Sequence, residues 1–129
     1  MMKFFLLSFF FLYTLNAAQE MVSIDHIYSK EYHKCISKAV SGLDALNCTE
    51  KEIRVQDKIL NESYKEAMKR IQKFRRVDLR NMQRLWIKYT DAKCDFYYHK
   101  ESGSGGRNDA SNCKLEEITK RGIELDEIY

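Results

Sequence analysis

The stretch that decides the fold is residues 49–74, which read TEKEIRVQDKILNESYKEAMKRIQKF. Its apolar side chains recur at steps of three, four or seven residues, a spacing that predicts one face of an α-helix and excludes a β-strand. Thr49 and Glu52 stand at capping-box spacing, so we expect the helix to begin at Thr49 and to reach about Arg75. The apolar positions are Ile53, Leu60, Tyr64, Ala67, Met68, Ile71 and Phe74.

Three further segments are expected to be helical. Their patterns place them at about residues 23–40, 78–99 and 111–128, and Gly42 is the expected end of the first. Residues 102–108, which read SGSGGRN, predict a loop because three of the five glycines in the chain fall within four residues. Because short turns favour antiparallel packing of neighbouring helices, we expect an all-α antiparallel bundle of about four helices.

The composition is that of one helical domain. The chain has 129 residues, of which 44% are hydrophobic and 32% charged, and it contains no proline, the residue that breaks helix interiors. A net charge of +3, spread among 22 basic and 19 acidic residues, argues against a nucleic-acid binder. The sequence shows no catalytic triad, phosphate-binding glycine loop or metalloprotease motif, so we expect neither an enzyme nor a cofactor.

Residues 1–18 have the pattern of a secretory signal peptide. Lys3 provides the basic start, the apolar run FFLLSFFFLY follows at residues 4–13, and two alanines end the segment. The run is shorter than the roughly 20 residues of a membrane-spanning helix. We therefore expect a periplasmic or secreted domain at residues 19–129, with no membrane span after cleavage and an oligomeric state left open.

All four cysteines follow the predicted cleavage site, and an even number in an exported chain favours disulfides. Four cysteines allow three pairings. We favour Cys35 with Cys48 and Cys94 with Cys113, because each pair then flanks one predicted connection between helices. Zinc is the weaker alternative, since the sequence has no C-x-x-C spacing.

The segment at residues 79–94 carries a family resemblance. It reads LRNMQRLWIKYTDAKC and resembles the LprI-like family, whose pattern here is L-x-x-A-Q-R-x-W-I-x-Y-R-D-x-x-C. The chain departs from this pattern at Met82 and Thr90. Upstream, residues 57–64 match D-x-x-L-N-x-x-Y, and downstream, a tail with the order C…T…R…L is matched by Cys113, Thr119, Arg121 and Leu125.

The resemblance spans about residues 35–125, and the family is one of small exported helical proteins named for a lysozyme inhibitor. It implies a disulfide-containing helical protein of the cell envelope, with lysozyme or another envelope protein as the partner. We therefore expect an exported protein-binding module with lysozyme inhibition as its activity. The alternative is a non-inhibitory accessory protein of the periplasm that binds an anionic surface or a small ligand.

Five residues of the second and third helical segments form a candidate polar site. They are Asn61, Tyr64, Gln83, Trp86 and Asp91. One interpretation is a core tryptophan beside a buried polar network that ties the two segments together, with every member hydrogen-bonded. The other is a ligand pocket lined by Asn61, Gln83 and Asp91.

A second candidate surface lies around the glycine-rich stretch. Three consecutive aromatic residues precede it and cannot all face one core, so at least one should be exposed and available to a partner. Many lysozymes are strongly basic, so an inhibitor needs an acidic patch, and the fourth segment supplies one. The predicted contact residues are Phe96, Tyr97, Tyr98, Gly105, Gly106, Glu116 and Glu117.

A basic stretch ends the second segment and continues beyond it. Its members are Lys69, Arg70, Lys73, Arg75 and Arg76. It is either a solvated helix face or the contact site for an anionic partner such as lipid head groups or an acidic wall polymer.

Overall fold

Four α-helices and no β-strand make up the part of the chain that a computed structural model describes, residues 24–129. The predicted signal peptide at residues 1–18 lies outside that range. The helices are α1 (Lys30–Ile36), α2 (Gly42–Arg70), α3 (Arg76–Asp95) and α4 (Gly103–Glu127). Single 3-10 turns lie at Asp25–Ile27, Lys73–Arg75 and Lys100–Ser102. The all-α prediction is confirmed.

The long helices run up, down and up. Near the start of α2, Thr49 Oγ1 lies 3.3 Å from Asn112 Oδ1 of α4, and at its end Arg70 Nη2 lies 2.7 Å from the carbonyl oxygen of Leu125. These contacts show that α2 and α4 are parallel. The intervening helix α3 runs in the opposite direction, because its end is joined to the first half of α4 by Cys94–Cys113. Each helix is therefore antiparallel to the next along the chain, as in the predicted bundle.

The core lies where α2 and α4 meet, with α3 covering one side. Gly122 allows this close packing, because a Cβ atom at that position would lie 3.7 Å from Leu60 Cα. Trp86 and Tyr64 pack against the core as half-buried side chains. The buried members are Leu60, Ala67, Ile71, Leu79, Ile118 and Leu125.

Both favoured disulfides are present. Cys35–Cys48 joins α1 to α2, and Cys94–Cys113 joins the end of α3 to α4. Each links two helices that are consecutive in the chain, as predicted.

The capping box of α2 is eight residues earlier than predicted. Ser41 Oγ accepts from the Asp44 backbone N–H, and Asp44 Oδ2 accepts from the Ser41 backbone N–H, both at 3.1 Å. Gly42 is thus the first residue of α2 and does not end α1. Thr49 and Glu52, the predicted cap, are both buried inside the helix.

The first helix is also shorter than the predicted 23–40. Ser29 caps α1 by accepting at Oγ from the Tyr32 N–H at 3.1 Å. The same residue donates its backbone N–H to the buried Glu52 Oε1 at 2.9 Å. Glu52 therefore anchors the start of α1, a tertiary contact that local sequence patterns do not reveal.

The glycine-rich loop prediction is wrong. Within the predicted loop 102–108, all residues from Gly103 onward are helical, so α4 begins eight residues before the expected Ser111. Correspondingly, α3 ends at Asp95 rather than at His99. Gly106 is buried, and a Cβ atom there would lie 2.9 Å from the Tyr97 carbonyl oxygen. Close packing against the α3–α4 turn thus overrides the low helix propensity of glycine.

Candidate functional site

Three exposed aromatic side chains, Phe96, Tyr97 and Tyr98, lie just beyond the last residue of α3. Their exposed fractions are 83%, 46% and 52%. The Phe96 and Tyr97 rings meet edge-on with centroids 5.9 Å apart, a favoured arrangement for aromatic pairs. We call these three residues the aromatic tip. The prediction of an exposed aromatic before the glycines is realised in all three.

The backbone of the aromatic tip is held in place. Tyr97 donates its N–H to the Cys94 carbonyl at 3.1 Å, and Tyr98 donates to Asp95 at 3.0 Å. The Cys94–Cys113 disulfide ties this turn to α4. Gly106, whose missing side chain lets α4 approach Tyr97, is buried beneath it, whereas Gly105 is exposed. The tip is therefore a fixed projection.

An acidic cleft adjoins the aromatic tip. It has a volume of about 330 Å³, and Tyr97 forms one wall. Glu117 binds Lys93 Nζ at 2.7 Å, and this bond raises the pKa of Lys93. Glu116 pairs with Lys120 along α4, while Asp109 has no ionic partner in the described part of the chain. We call Asp109, Glu116 and Glu117 with Tyr97 the acidic cleft.

Glu116 is one of the charges that raise the pKa of Tyr28, the residue that follows the first 3-10 turn. Burial, followed by the charges of Asp25, Tyr32 and Glu116, raises the pKa of Tyr28 to about 12. Its ring packs edge-on against Tyr32 with centroids 5.2 Å apart. Tyr28 therefore stays neutral at physiological pH and adds no charge to this side of the molecule.

The predicted polar residues divide between two neighbouring clefts. Asn61, Tyr64, Gln83 and Trp86 line one cleft of about 260 Å³ between α2 and α3. Asp91 lines a second cleft of about 280 Å³ to which Trp86 also contributes. Asp91 is exposed and lies 3.8 Å from Lys114 Nζ.

The hydrogen bonds of these residues link α3 to α4 rather than α2 to α3. Asn61 Nδ2 donates within α2, to the Asp57 carbonyl oxygen at 2.8 Å. Gln83 Oε1 instead accepts from Arg121 Nε of α4 at 2.9 Å. The Arg121 guanidinium also lies 5.8 Å from the centroid of the Trp86 ring. Sequence reasoning missed Arg121 as a site residue, although it is the arginine of the downstream C…T…R…L tail.

Much of the basic stretch is engaged within the protein. Arg70 donates to the carbonyl oxygens of Leu125, Asp126 and Ile128, and so caps the C-terminus of α4. Lys69 pairs with Glu66 at 2.7 Å on an exposed face. Arg75 binds Asp78 at 3.3 Å, whereas the Nε atom of Arg76 is buried without a hydrogen-bond partner among the described residues.

Neither a cluster of metal-ligating side chains nor a membrane-spanning helix is found among residues 24–129. That part of the chain contains no group of three or more histidine, cysteine, aspartate or glutamate residues that could hold a metal ion. Within the same range, every helix is too short or too polar to cross a membrane.

The helices, the disulfides and the exposed tip define a small, disulfide-linked, all-α protein in which three exposed aromatic side chains lie beside an acidic cleft. The chain belongs to the LprI family: the family model described as lysozyme inhibitor LprI matches residues 35–125. A search of curated proteins found no match. A search of solved structures also found none. The family and the two disulfides are consistent with an extracellular or envelope protein.

Proposed function

We propose that this protein is an exported protein-binding module that inhibits a lysozyme-type glycosidase. The observation that carries the proposal is that Tyr97 belongs both to the aromatic tip and to the acidic cleft, which unites the two halves of a binding surface. The family description supports the identity of the partner.

The shape of the aromatic tip suits a concave partner. Aromatic side chains are over-represented among the residues that dominate binding energy, and ligand clefts of enzymes are lined largely by apolar groups. Because the disulfide and the packing at Gly106 hold the turn, little conformational entropy is lost when the tip binds. Phe96, the most exposed of the three rings, is the expected anchor.

The acidic cleft supplies the charge that the whole chain lacks. With a net charge of +3, the protein as a whole would repel a basic lysozyme. Asp109 places negative charge beside the tip, where it steers and orients a basic partner. Glu116 and Glu117 contribute less, because Lys120 and Lys93 neutralise them.

The test of the tip is an inhibition assay. Wall lysis by lysozyme is followed with increasing amounts of the purified protein, and inhibition is expected for the wild type. Phe96→Ala should weaken inhibition about 30-fold, the equivalent of a binding hot spot. The matched control is Phe74→Ala, which removes a phenylalanine that is 73% exposed at the opposite end of the bundle, and it should leave inhibition unchanged.

The test of the cleft uses charge reversal. Asp109→Lys should weaken inhibition, and the loss should shrink as the salt concentration rises. Glu62→Lys on the exposed face of α2 changes the net charge equally and should have no effect. If the wild type does not inhibit at a large molar excess, the proposal is wrong.

The alternative function is binding of a small ligand by a non-inhibitory accessory protein. The two adjoining clefts that share Trp86 are its structural basis. A ligand at 100 times its Kd adds about 2.7 kcal/mol of stability, so a thermal-shift screen would detect it. Binding of an anionic surface is less favoured, because Lys69, Arg70 and Arg75 already have partners within the protein.

A further inference from the structure

The outer face of α3 carries an apolar stripe that no other described helix covers. Leu85 and Tyr89 are 66% and 62% exposed, and Met82 is 46% exposed. Ala92 and Phe96 continue the same line, since Phe96 keeps the helical register by donating its N–H to the Ala92 carbonyl at 3.2 Å. The buried face of the helix, with Leu79, Gln83, Thr90 and Cys94, points elsewhere. We call the five residues from Met82 to Phe96 the α3 stripe.

The spacing of the α3 stripe is that of a helix-pairing seam. Its members follow one another at steps of three, four, three and four residues, the heptad pattern of the a and d positions in coiled coils. A stripe with this repeat packs well against one further helix. A helix that only covers a globular core needs one buried face, and α3 already has that face on its inner side. The α3 stripe is a second apolar face, which the core does not require.

Two charges mark one edge of the α3 stripe. Lys88 and Asp95 are seven residues apart, two turns of helix, and therefore lie on the same side. Neither side chain has an ionic partner within residues 24–129. They carry opposite signs at the positions that set partner orientation in paired helices.

We propose that the α3 stripe binds the α3 stripe of a second copy of this chain, with the two helices antiparallel. A two-fold axis lies midway between Tyr89 and Ala92. It places Tyr89 of one copy opposite Ala92 of the second copy, and Ala92 of the first opposite Tyr89 of the second. The same axis places Leu85 opposite Phe96. Every contact then occurs twice, as an isologous interface requires.

The charges select this orientation. In the antiparallel pair, Lys88 and the second copy's Asp95 lie within about 3 Å of each other along the helix axis at 1.5 Å per residue, so two ion pairs form. In a parallel, in-register pair, the edge that carries Lys88 and Asp95 would face the opposite edge of the second helix, so neither of these ion pairs could form. The small side chain of Ala92 leaves room for the Tyr89 ring opposite. This self-complementarity identifies a second copy, rather than an unrelated helix, as the occupant.

The experiment measures the mass of the purified protein by sedimentation equilibrium across a dilution series. We expect two chains per particle at high concentration and dissociation on dilution. Leu85→Glu should give one chain throughout. Val55→Glu makes the same change at an exposed apolar position of α2 and should leave the assembly intact. A wild-type mass of one chain up to about 1 mM would overturn the inference.

A charge-swap pair tests the orientation. Lys88→Asp should abolish assembly, and the double variant Lys88→Asp with Asp95→Lys should restore it. Circular dichroism confirms that each variant keeps its helices. Failure of the double variant to assemble would contradict the antiparallel arrangement.

The result is separable from the proposed inhibition. The two surfaces share Phe96, so a second copy and lysozyme compete for it. Leu85→Glu leaves Phe96, Tyr97 and the acidic cleft intact, so the single chain should inhibit lysozyme at least as well as the wild type. A protein that inhibits as one chain at every concentration would retain the proposed function and refute the second-copy interface.

Discussion

Arg121 of α4 donates from Nε to Gln83 Oε1 of α3 at 2.9 Å, and both side chains are buried. Replacing Arg121 with methionine keeps the bulk but leaves the Gln83 oxygen without a partner. We expect the free energy of unfolding in urea to fall by about 1–3 kcal/mol. Arg84→Met, on the exposed side of α3, is the control and should change it by less than about 0.5 kcal/mol. Equal effects would contradict a special role for the pair.

The two neighbouring glycines of α4 should respond oppositely to alanine. At Gly106 a Cβ atom would lie 2.9 Å from both the Tyr97 carbonyl oxygen and Ser102 Cβ, so the turn must shift, at a cost of about 1–3 kcal/mol. At Gly105 nothing lies within 4 Å, so alanine should stabilise the helix by about 0.5–1 kcal/mol. In thermal unfolding, the melting temperature should fall for Gly106→Ala and rise for Gly105→Ala. Inhibition should weaken for Gly106→Ala alone.

Removal of the Cys35–Cys48 disulfide should loosen α1 selectively. This bond and the contact of Ser29 with Glu52 hold α1 against α2. We expect the double serine variant to lose about 3 kcal/mol of global stability. In hydrogen exchange, the amides of α1 should lose more protection than those at the α2–α4 core, whose protection falls only by the change in global stability.

The matching removal of Cys94–Cys113 provides the comparison. It should cost a similar free energy, and the loss of amide protection should fall on the end of α3 and the turn that carries the aromatic tip. If both variants lost protection in the same segments, the assignment of one bond to each helix pair would be wrong.

The α2 cap should make stability depend on acid pH. Hydrogen bonds from the Ser41 hydroxyl and the Val40 backbone hold the pKa of Asp44 below its usual value. The stabilisation is complete above the unfolded-state pKa of about 3.9 and disappears as the pH falls through the lower folded-state pKa. The melting temperatures of the wild type and Asp44→Asn should therefore converge in strong acid. Ser41→Ala should raise the pKa of Asp44 when its carboxyl is titrated by NMR.

Periodicity predicted the existence of the long helices and the disulfide pairing, because both depend on spacing along the chain. The helix ends were harder. Thr49 and Glu52 have the same capping-box spacing as Ser41 and Asp44, and only burial distinguishes the two pairs. Once Glu52 anchors Ser29, the later pair lies inside the helix and the earlier pair caps it.

The glycine stretch misled for a related reason. Local propensity favours a loop at Gly103, Gly105 and Gly106, but the disulfide at Cys113 and the close contact at Tyr97 hold the chain in a helix. At the candidate site, the aromatic tip was predictable because three consecutive aromatics cannot share one buried face. The contribution of Asp109 was not, since it depends on how α4 starts.

Both disulfides lie within consecutive helix pairs, so neither covalently joins the α1–α2 half to the α3–α4 half. Each can close as soon as its own pair of helices has formed, in either order, without trapping the chain. The contacts that complete the core, such as Leu60 against Gly122, join residues distant in sequence and must form by diffusion of one half onto the other. The rate of folding should therefore depend on this docking step, while oxidation proceeds separately in each half.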